Sequence, residues 1–501
     1  MKVEIQGKHI WFLDYTVAEF NKLQKLLLWE DKYAKTLGNN VSETLLFEDK
    51  ESGDHYTFAG LVDLIRDEFR SFEIVGDDRK DVIQNLTVQD DILDKVTLRD
   101  YQVIAIRKAV NLKFGIIEMP TGSGKSEVAL GITRVLLDQK LIKKTLIITP
   151  SVPIVKQFKE RALLRGFSRS EVGCVYGQEK DFDKPIVFAV INTLAQGLKE
   201  GNQRVIDLVR NADLIVMDEV HHAKSDSFLR VAYISESEYL IGMSGTPFKD
   251  RKDILADVGD SIIYGLIGRI ILKISQKTLV DKGYIADTVI FMKPVKGSFK
   301  KYKSRYNVIY KREIVDNDVR NDYIIEYCDI FVKQGLSVLV SVNVKAHALL
   351  LMKLMRKKYP SISSICIFGG SEAQIYDHSG FLEKYKVNQE AFFADFELGK
   401  HNVIIATQVM DEGVDLPSVG ALIFGGSGKS MRQVRQRLGR GTRSKKTGRN
   451  EVFILDFFDR GHIWMFQQSR KRLDIYLDEV ESDVLETELE FLDLIKSCSD
   501  D

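Results

Sequence analysis

Cysteine is scarce in this chain. Only four occur in 501 residues (Cys174, Cys328, Cys366 and Cys498), with no CxxC pair and no clustered histidines, which excludes a disulfide framework and structural zinc. They read as ordinary thiols. Proline is sparse too, at 8, and a composition of 44% hydrophobic and 29% charged residues excludes long disorder or collagen-like sequence. No apolar run approaches the ~20 residues of a membrane span, and MKVEIQGKHIWFLDYTVAEF lacks the apolar centre of a secretory leader. A cytoplasmic protein with no membrane partner is expected. At about 150 residues per unit, the length suits roughly three units.

Net charge is also missing, since 72 Lys/Arg balance 72 Asp/Glu. The balance hides a partition. Residues 1–96 hold 12 basic and 20 acidic residues (net −8), and residues 478–501 hold 1 and 10 (net −9), which leaves the middle at +17. A basic body between acidic ends suits a core that binds a polyanion.

Short apolar runs with turn chemistry at their ends mark buried strands: FGIIEM (114–119), KTLIITP (144–150), PIVFAVI (185–191), DLIVMDE (213–219) and YLIGMS (239–244). Between the first two, SEVALGITRVLLDQ places Val128, Ala129, Ile132, Val135 and Leu136 on one helical face, so strand and helix alternate as in a parallel sheet. After a charged stretch expected to lack strands, a second series follows: VLVSVN (338–343), SSICIFGG (363–370), NVIIAT (402–407), ALIFGG (421–426) and EVFILDF (451–457). The expected division is an α+β accessory domain at 1–96, α/β domains at 97–255 and 326–460 joined by a basic segment at 256–325, and an acidic helical tail at 461–501. In that tail Leu485, Leu489, Leu492 and Ile495 are spaced for one helix face.

MPTGSGKS (119–126) follows a strand and opens a helix, the context a phosphate loop requires. Gly122 and Gly124 let the backbone around Thr121 and Ser123 turn its amides toward phosphate oxygens, Lys125 reaches the β- and γ-phosphates, and the Ser126 hydroxyl can ligate Mg²⁺. DEVH (218–221) ends a strand 93 residues after Lys125. Asp218 there can hold Mg²⁺ and Glu219 can orient the attacking water. His221 and His222 do not suggest zinc, because neighbouring side chains point apart and no further His or Cys sits at ligand spacing.

In order along residues 97–458, these motifs resemble those of superfamily 2 helicases. The resemblance implies two tandem RecA-like parallel-sheet domains, with the N-terminal α+β domain and a helical C-terminal tail added. It also implies ATP and Mg²⁺ as cofactors. TLRDYQ (97–102) is similar to the adenine-reading motif, in which Arg99 and Gln102 would contact the base. Read locally, the same residues are only a helix start capped by Thr97. ITPSVPIVKQ (148–157) and VINTL (190–194) resemble the strand-contacting motifs Ia and Ib, which implicates Pro150, Gln157 and Thr193. MSGTP (243–247) resembles motif III, whose Ser244 and Thr246 would couple hydrolysis to movement. IIATQVMDEGVDLP (404–417) resembles motif V, with Thr407 at the strand backbone and Gly413 and Asp415 near the nucleotide. QRLGRGTR (436–443) matches motif VI, with Gln436 and with Arg440 and Arg443 three apart on a helix and so able to reach a γ-phosphate together.

Two departures bear on substrate. His221 stands where a DEAD-box protein has Asp, which turns the reading away from an RNA unwinder. The stretch 371–389 is longer than the family pattern. FAGLVDLIRDEF (58–69) ahead of LRDYQ looks like the UvsW-type phage helicases that remodel branched DNA, so forked or junction DNA is the expected partner. Residues 293–312 hold eight Lys/Arg, no acid, and Phe299, Tyr302, Tyr306 and Tyr310 interleaved, which suits strand binding through Lys300, Lys301 and Lys303. The alternative there is a solvated cationic strand with buried tyrosines. A monomer is expected, with the acidic tail as the contact for replication or recombination proteins. An RNA helicase and a strand-annealing protein with a regulatory ATP site stay open as other readings. The first is separated by the nucleic acid that stimulates hydrolysis, the second by pairing that persists without ATP.

Overall fold

The five apolar runs of the first series become neighbours in one sheet. The computed structural model describes residues 1–30, 42–77, 86–120, 122–221, 226–248, 257–296, 305–368, 373–376, 382–385, 396, 398–407, 419–426, 451–479 and 483–497. It divides into two compact units, Met1–Met119 with Gly124–Ile274, and Ser275–Asp501 with Pro120–Ser123. In the first unit an eight-stranded sheet runs in the order Glu179–Lys180, Val172–Tyr176, Ile186–Val190, Thr145–Thr149, Leu214–Asp218, Tyr239–Ser244, Phe114–Glu118 and Ile270–Lys273. All pairings but the first are parallel. Every residue of Ile186–Val190, Leu214–Asp218 and Tyr239–Ser244 is buried, as expected of strands covered on both faces.

Helix Lys125–Asp138 buries its expected face and also Leu130, Gly131 and Thr133. It is covered nearly all round, because helix Asp100–Leu112 lies so close that a Cβ at Gly131 would come within 2.4 Å of Ile106.

Of the stretch 1–96 expected as an accessory domain, residues 1–30 and 42–77 hold a mixed α and β part of the first unit. Its five-stranded sheet has the order Phe47–Glu48, His55–Phe58, His9–Asp14, Lys2–Gln6 and Glu73–Asp77, with helices Val17–Leu26 and Val62–Glu68. This domain shares its core with the first parallel-sheet domain. Phe58 packs on Gly265 and Gly60 on the Tyr264 carbonyl so closely that neither glycine has room for a Cβ. Lys8, largely buried, donates to the carbonyl of Ala232 (2.7 Å) and to Ser235 at the end of helix Asp226–Ile234, and burial pulls its pKa down to about 8. The aliphatic stem fills the interface while the ammonium satisfies carbonyls a helix end leaves over. Removing residues 1–96 therefore strips a packed interface as well as an acidic surface.

The second unit is built on a nine-stranded sheet in the order Leu382–Tyr385, Ala373–Tyr376, Ser364–Ile367, Val403–Ala406, Val338–Ser341, Ala421–Phe424, Glu451–Asp459, Asp287–Val295 and Asp483–Leu485. The first three are paired antiparallel and the rest parallel. Three readings are revised or filled in here. The stretch 256–325 is not strandless: Ile270–Lys273 completes the first sheet and Asp287–Val295 runs the full length of Glu451–Asp459 in the second. The charges that disguised these strands fall toward their ends: Lys273 is the last residue of its strand, and Lys293, two residues from the end of its own, pairs with Glu488. The stretch 371–389 contributes the antiparallel pair Ala373–Tyr376 and Leu382–Tyr385 at the sheet edge.

The third change concerns the acidic C-terminal segment. Its last helix, Glu488–Lys496, is anchored in the core by Phe491 and Ile495, while Leu489 is exposed. Leu485 lies in an edge strand, because Thr487 stops the helix ahead of Glu488: its hydroxyl accepts the Glu490 amide at 3.3 Å, an N-cap.

Candidate nucleotide site

In a parallel sheet the strand ends that point one way share an edge, and five of the motifs fall on that edge of the first sheet. Lys125 follows Phe114–Glu118, Pro150 follows Thr145–Thr149, Thr193 lies in the first turn after Ile186–Val190, Asp218 ends Leu214–Asp218, and Ser244 ends Tyr239–Ser244. Gln157 lies on helix Val152–Leu164, half-buried like Pro150 and Thr193. That helix is tied to the phosphate helix, because the buried Glu127 carboxylate accepts from Arg161 and Arg165 at 3.1 Å.

The phosphate loop has the backbone its glycines were expected to supply. Gly122 and Gly124 both adopt positive φ (83° and 81°), a region where a Cβ clashes with the backbone. Ser123 closes the turn, with its hydroxyl donating to the Pro120 carbonyl at 2.6 Å. Gly124 then caps helix Lys125–Asp138 in the left-handed conformation, leaving the helix N-terminus and Ser126 to face an anion. A side chain at Gly124 would meet the Gln102 amide nitrogen at 2.3 Å, so Gln102 lies against the loop. Its Oε1 accepts the Arg99 backbone amide (2.9 Å), and Arg99 in turn donates to Tyr101. Arg99, not Thr97, is the N-cap of that helix.

Lys125 Nζ lies 3.4 Å from the Met119 carbonyl and 3.6 Å from Glu219 Oε1. Asp218 sits beside them, buried, with Oδ1 lacking any hydrogen-bond partner. Burial first, and then the neighbouring Glu219 carboxylate, push the Asp218 pKa up to about 7, against the opposing pull of Lys125. A buried carboxylate oxygen left unsatisfied next to a lysine and a helix N-terminus fits a divalent cation bound to phosphate, with Ser126 and Asp218 as its holders. Glu219 has φ +51°, unusual for a residue with a side chain. Strain of this kind is concentrated at functional sites, and here it accompanies a carboxylate lying toward Lys125.

His221 is the residue sequence reasoning missed. Buried, its Nδ1 lies 2.8 Å from Ser244 Oγ and 3.2 Å from Glu219 Oε2. The same Ser244 hydroxyl accepts the Thr246 amide at 3.0 Å, and the Ser244 carbonyl accepts the Met119 amide at 3.0 Å. One serine thus joins the DEVH turn, the MSGTP turn and the start of the phosphate loop. A signal exists, since His221 precedes a strand-end serine by only 23 residues, but at the fourth position of its motif the histidine reads only as a departure from another pattern.

In the second unit Thr407 is buried at the end of Val403–Ala406, its amide bonded to the Ile367 carbonyl at 3.0 Å. Thr121, Lys300, Lys301, Lys303, Gly413, Asp415, Gln436, Arg440 and Arg443 lie outside the described residues. Among the described residues of 293–312, Lys293 pairs with Glu488, and Val295, Ile309 and the Tyr310 ring are buried.

The raised Asp218 pKa has a testable consequence for stability. A carboxyl whose folded pKa exceeds its unfolded value stabilises the fold fully below the ordinary carboxylate range and loses that contribution as pH rises toward the folded value. Without nucleotide or metal, Asp218→Asn is therefore expected to raise the melting temperature by a few degrees at pH 8 and by much less at pH 4. Calorimetry at the two pH values measures this; a variant no more stable at pH 8 would show that the Asp218 carboxylate is not a buried burden.

Residues 95–249 match the family described as type III restriction enzyme, res subunit, and residues 320–445 match the helicase conserved C-terminal domain. A DNA 3'-5' translocase, XPB2, of Sulfurisphaera tokodaii is 28% identical over 398 residues, covering 74% of this chain and 83% of the relative. Among solved structures, a fragment of an HsdR subunit of a type I restriction enzyme from Vibrio vulnificus YJ016 has a TM-score of 0.55 at 18% identity, covering 94% of this chain and 82% of that one. T4 UvsW is also similar, with a TM-score of 0.42 at 18% identity over 97% of this chain and 98% of that one. Among the described residues no helix is long and apolar enough to cross a membrane.

Proposed function

Because the chain belongs to superfamily 2 of the helicases, and so is a nucleic-acid-dependent ATPase helicase, we propose that it is an ATP-driven DNA translocase that unwinds or branch-migrates forked or junction DNA. The observation that carries the ATPase chemistry is the convergence of Lys125, Asp218 and Glu219 at one sheet edge, with an unsatisfied Asp218 oxygen. DNA as the track is supported by the translocase relative and by the +17 charge of the central body.

ATP binds with its phosphates on the loop 119–126 and its base toward Arg99 and Gln102. Ser126 and Asp218 would hold Mg²⁺, which would neutralise charge on the phosphates. Lys125 holds the β- and γ-phosphates, Glu219 orients water for in-line attack, and Arg440 and Arg443 meet the charge that develops on the γ-phosphoryl, with Gly413, Asp415 and Gln436 completing the nucleotide contacts. His221, Ser244 and Thr246 couple the state of the DEVH turn to the strand-contacting residues Pro150, Gln157, Thr193 and Thr407. ATP hydrolysis measured on single-stranded DNA, duplex, fork, four-way junction and RNA tests this reading. Strongest stimulation by forks or junctions supports it, and stimulation by RNA alone overturns it.

The contribution of 297–304 is separable by salt. Replacing Lys300, Lys301 and Lys303 by Ala is expected to weaken DNA binding similarly across sequences. It should also flatten the slope of log K against log salt by about 0.7 to 0.9 for each phosphate no longer neutralised. An unchanged slope would assign these lysines to a solvated face.

A further inference from the structure

We propose that Tyr306 and Trp464, brought together on the second unit, form a stacking site for an unpaired nucleobase. The proposal rests on the reading of the chain as a DNA helicase and names one place where the strand is gripped. The two rings come from distant parts of the chain. Strand Glu451–Asp459 turns through Arg460 and Gly461 into helix Ile463–Asp474, whose N-cap is His462, its Nδ1 accepting the Trp464 amide at 3.1 Å. Helix Tyr306–Tyr310 and the turn Lys311–Val315 that continues it pack on the same helix, where Ile309, Tyr310, Ile314, Val315 and Met465 form a small apolar cluster.

That cluster sets the Tyr306 ring 6.4 Å from Trp464 and 6.0 Å from Tyr310, at 31° and 36° to them. The His462 ring stands edge-on to Trp464 at 5.5 Å and 72°. Gln468 Nε2 donates to the Tyr306 hydroxyl at 3.4 Å, holding the ring from behind.

Two features point outward. Tyrosine and tryptophan normally bury most of their surface, yet Tyr306 is 40% and Trp464 is 42% exposed, although both sit on a packed base. A large apolar surface held rigid in water invites a flat apolar partner at little cost in side-chain freedom. The surroundings set the partner's charge. Segments 305–312 and 460–471 together hold six Lys/Arg and no Asp or Glu; of the carboxylates that flank them, Glu313 lies against Gly461 and 3.7 Å from Arg312 Nε, and Asp459 is buried in a pair with Arg320. Arg305, Lys311 and Arg460 are exposed, the first two flanking Tyr306–Tyr310 in sequence and the third in the turn that leads to Trp464. A base offers a flat π-face and its chain a phosphate on either side, which matches rings flanked by cations, and stacking of this kind accepts any base.

The test uses the full-length protein at fixed salt with a fluorescent oligo-dT strand as probe. Trp464→Ala and Tyr306→Ala are each expected to weaken binding about 5- to 150-fold, the scale of one base stack removed. Trp464→Phe should stay near wild type, and the salt slope should not change, since every phosphate-binding cation is kept. With the unaltered protein, an oligomer of abasic sites should bind correspondingly more weakly than oligo-dT, a comparison that does not depend on any variant folding. Equal binding of the abasic and base-bearing strands, or an Ala variant that binds like wild type, overturns the stacking site. Failure of every DNA to stimulate hydrolysis by the unaltered protein would instead overturn the helicase reading.

Discussion

Lys125→Ala is expected to lower nucleic-acid-stimulated ATP turnover by about 10²- to 10³-fold or more while leaving the fold intact. The ammonium is not a core group. Its partners are the Met119 carbonyl at 3.4 Å and the Glu219 carboxylate at 3.6 Å, both long contacts that a phosphate oxygen would displace. Without it the phosphates lose their only cation in the loop 119–126, and two carboxylates, Asp218 and Glu219, face them with less compensation. Nucleotide affinity and turnover should therefore fall together. Steady-state hydrolysis with saturating DNA, beside circular dichroism and a melting curve, measures the result. A stably folded variant that turns over near the wild-type rate would remove the phosphate-loop assignment and with it the roles given to Ser126 and Asp218.

Arg440→Ala or Arg443→Ala is expected to cost about 10³-fold or more in kcat with a much smaller change in nucleotide affinity, as when a transition-state arginine is removed. From residue 416 to 450 there are nine Lys/Arg and no acid, so these cations have no partner nearby in sequence and imply an external anion. The chain leaves the sheet toward this segment from a firmly held point. The buried Arg320 guanidinium donates to the Phe424 and Gly425 carbonyls and pairs with Asp459, while the Gly426 amide donates to the Ser341 carbonyl at 2.9 Å. A burial of this kind is costly unless fully bonded, and its bonds are spent on the backbone just ahead of residue 427. Turnover measured beside nucleotide affinity separates the roles. If affinity alone moves, the two arginines contact ground-state ATP and the account of hydrolysis must change.

Much of this was legible in the chain itself, for a physical reason that also sets its limit. Short, nearly unbroken apolar runs rich in β-branched residues and ended by turn chemistry suit strands buried on both faces, and a glycine turn between such a strand and a helix leaves amides and a lysine aimed at one point, so the ten strands of the two apolar series and the Lys125 site follow from local order. Local order failed where charges at strand ends disguised Ile270–Lys273 and Asp287–Val295, and where a threonine cap separated Leu485 from the helix its spacing suggested. Contacts across the chain were beyond it altogether. Gln102 against Gly124, His221 on Ser244, Lys8 in the end of helix Asp226–Ile234 and Tyr306 beside Trp464 each join residues whose spacing carries no periodic signal. Residue types and their order settled which chemistry the chain can carry, because a phosphate loop is a local object. Packing alone decided which side chains meet it and which aromatic rings stay in water, because those outcomes depend on how sheets and helices distant in sequence close on one another.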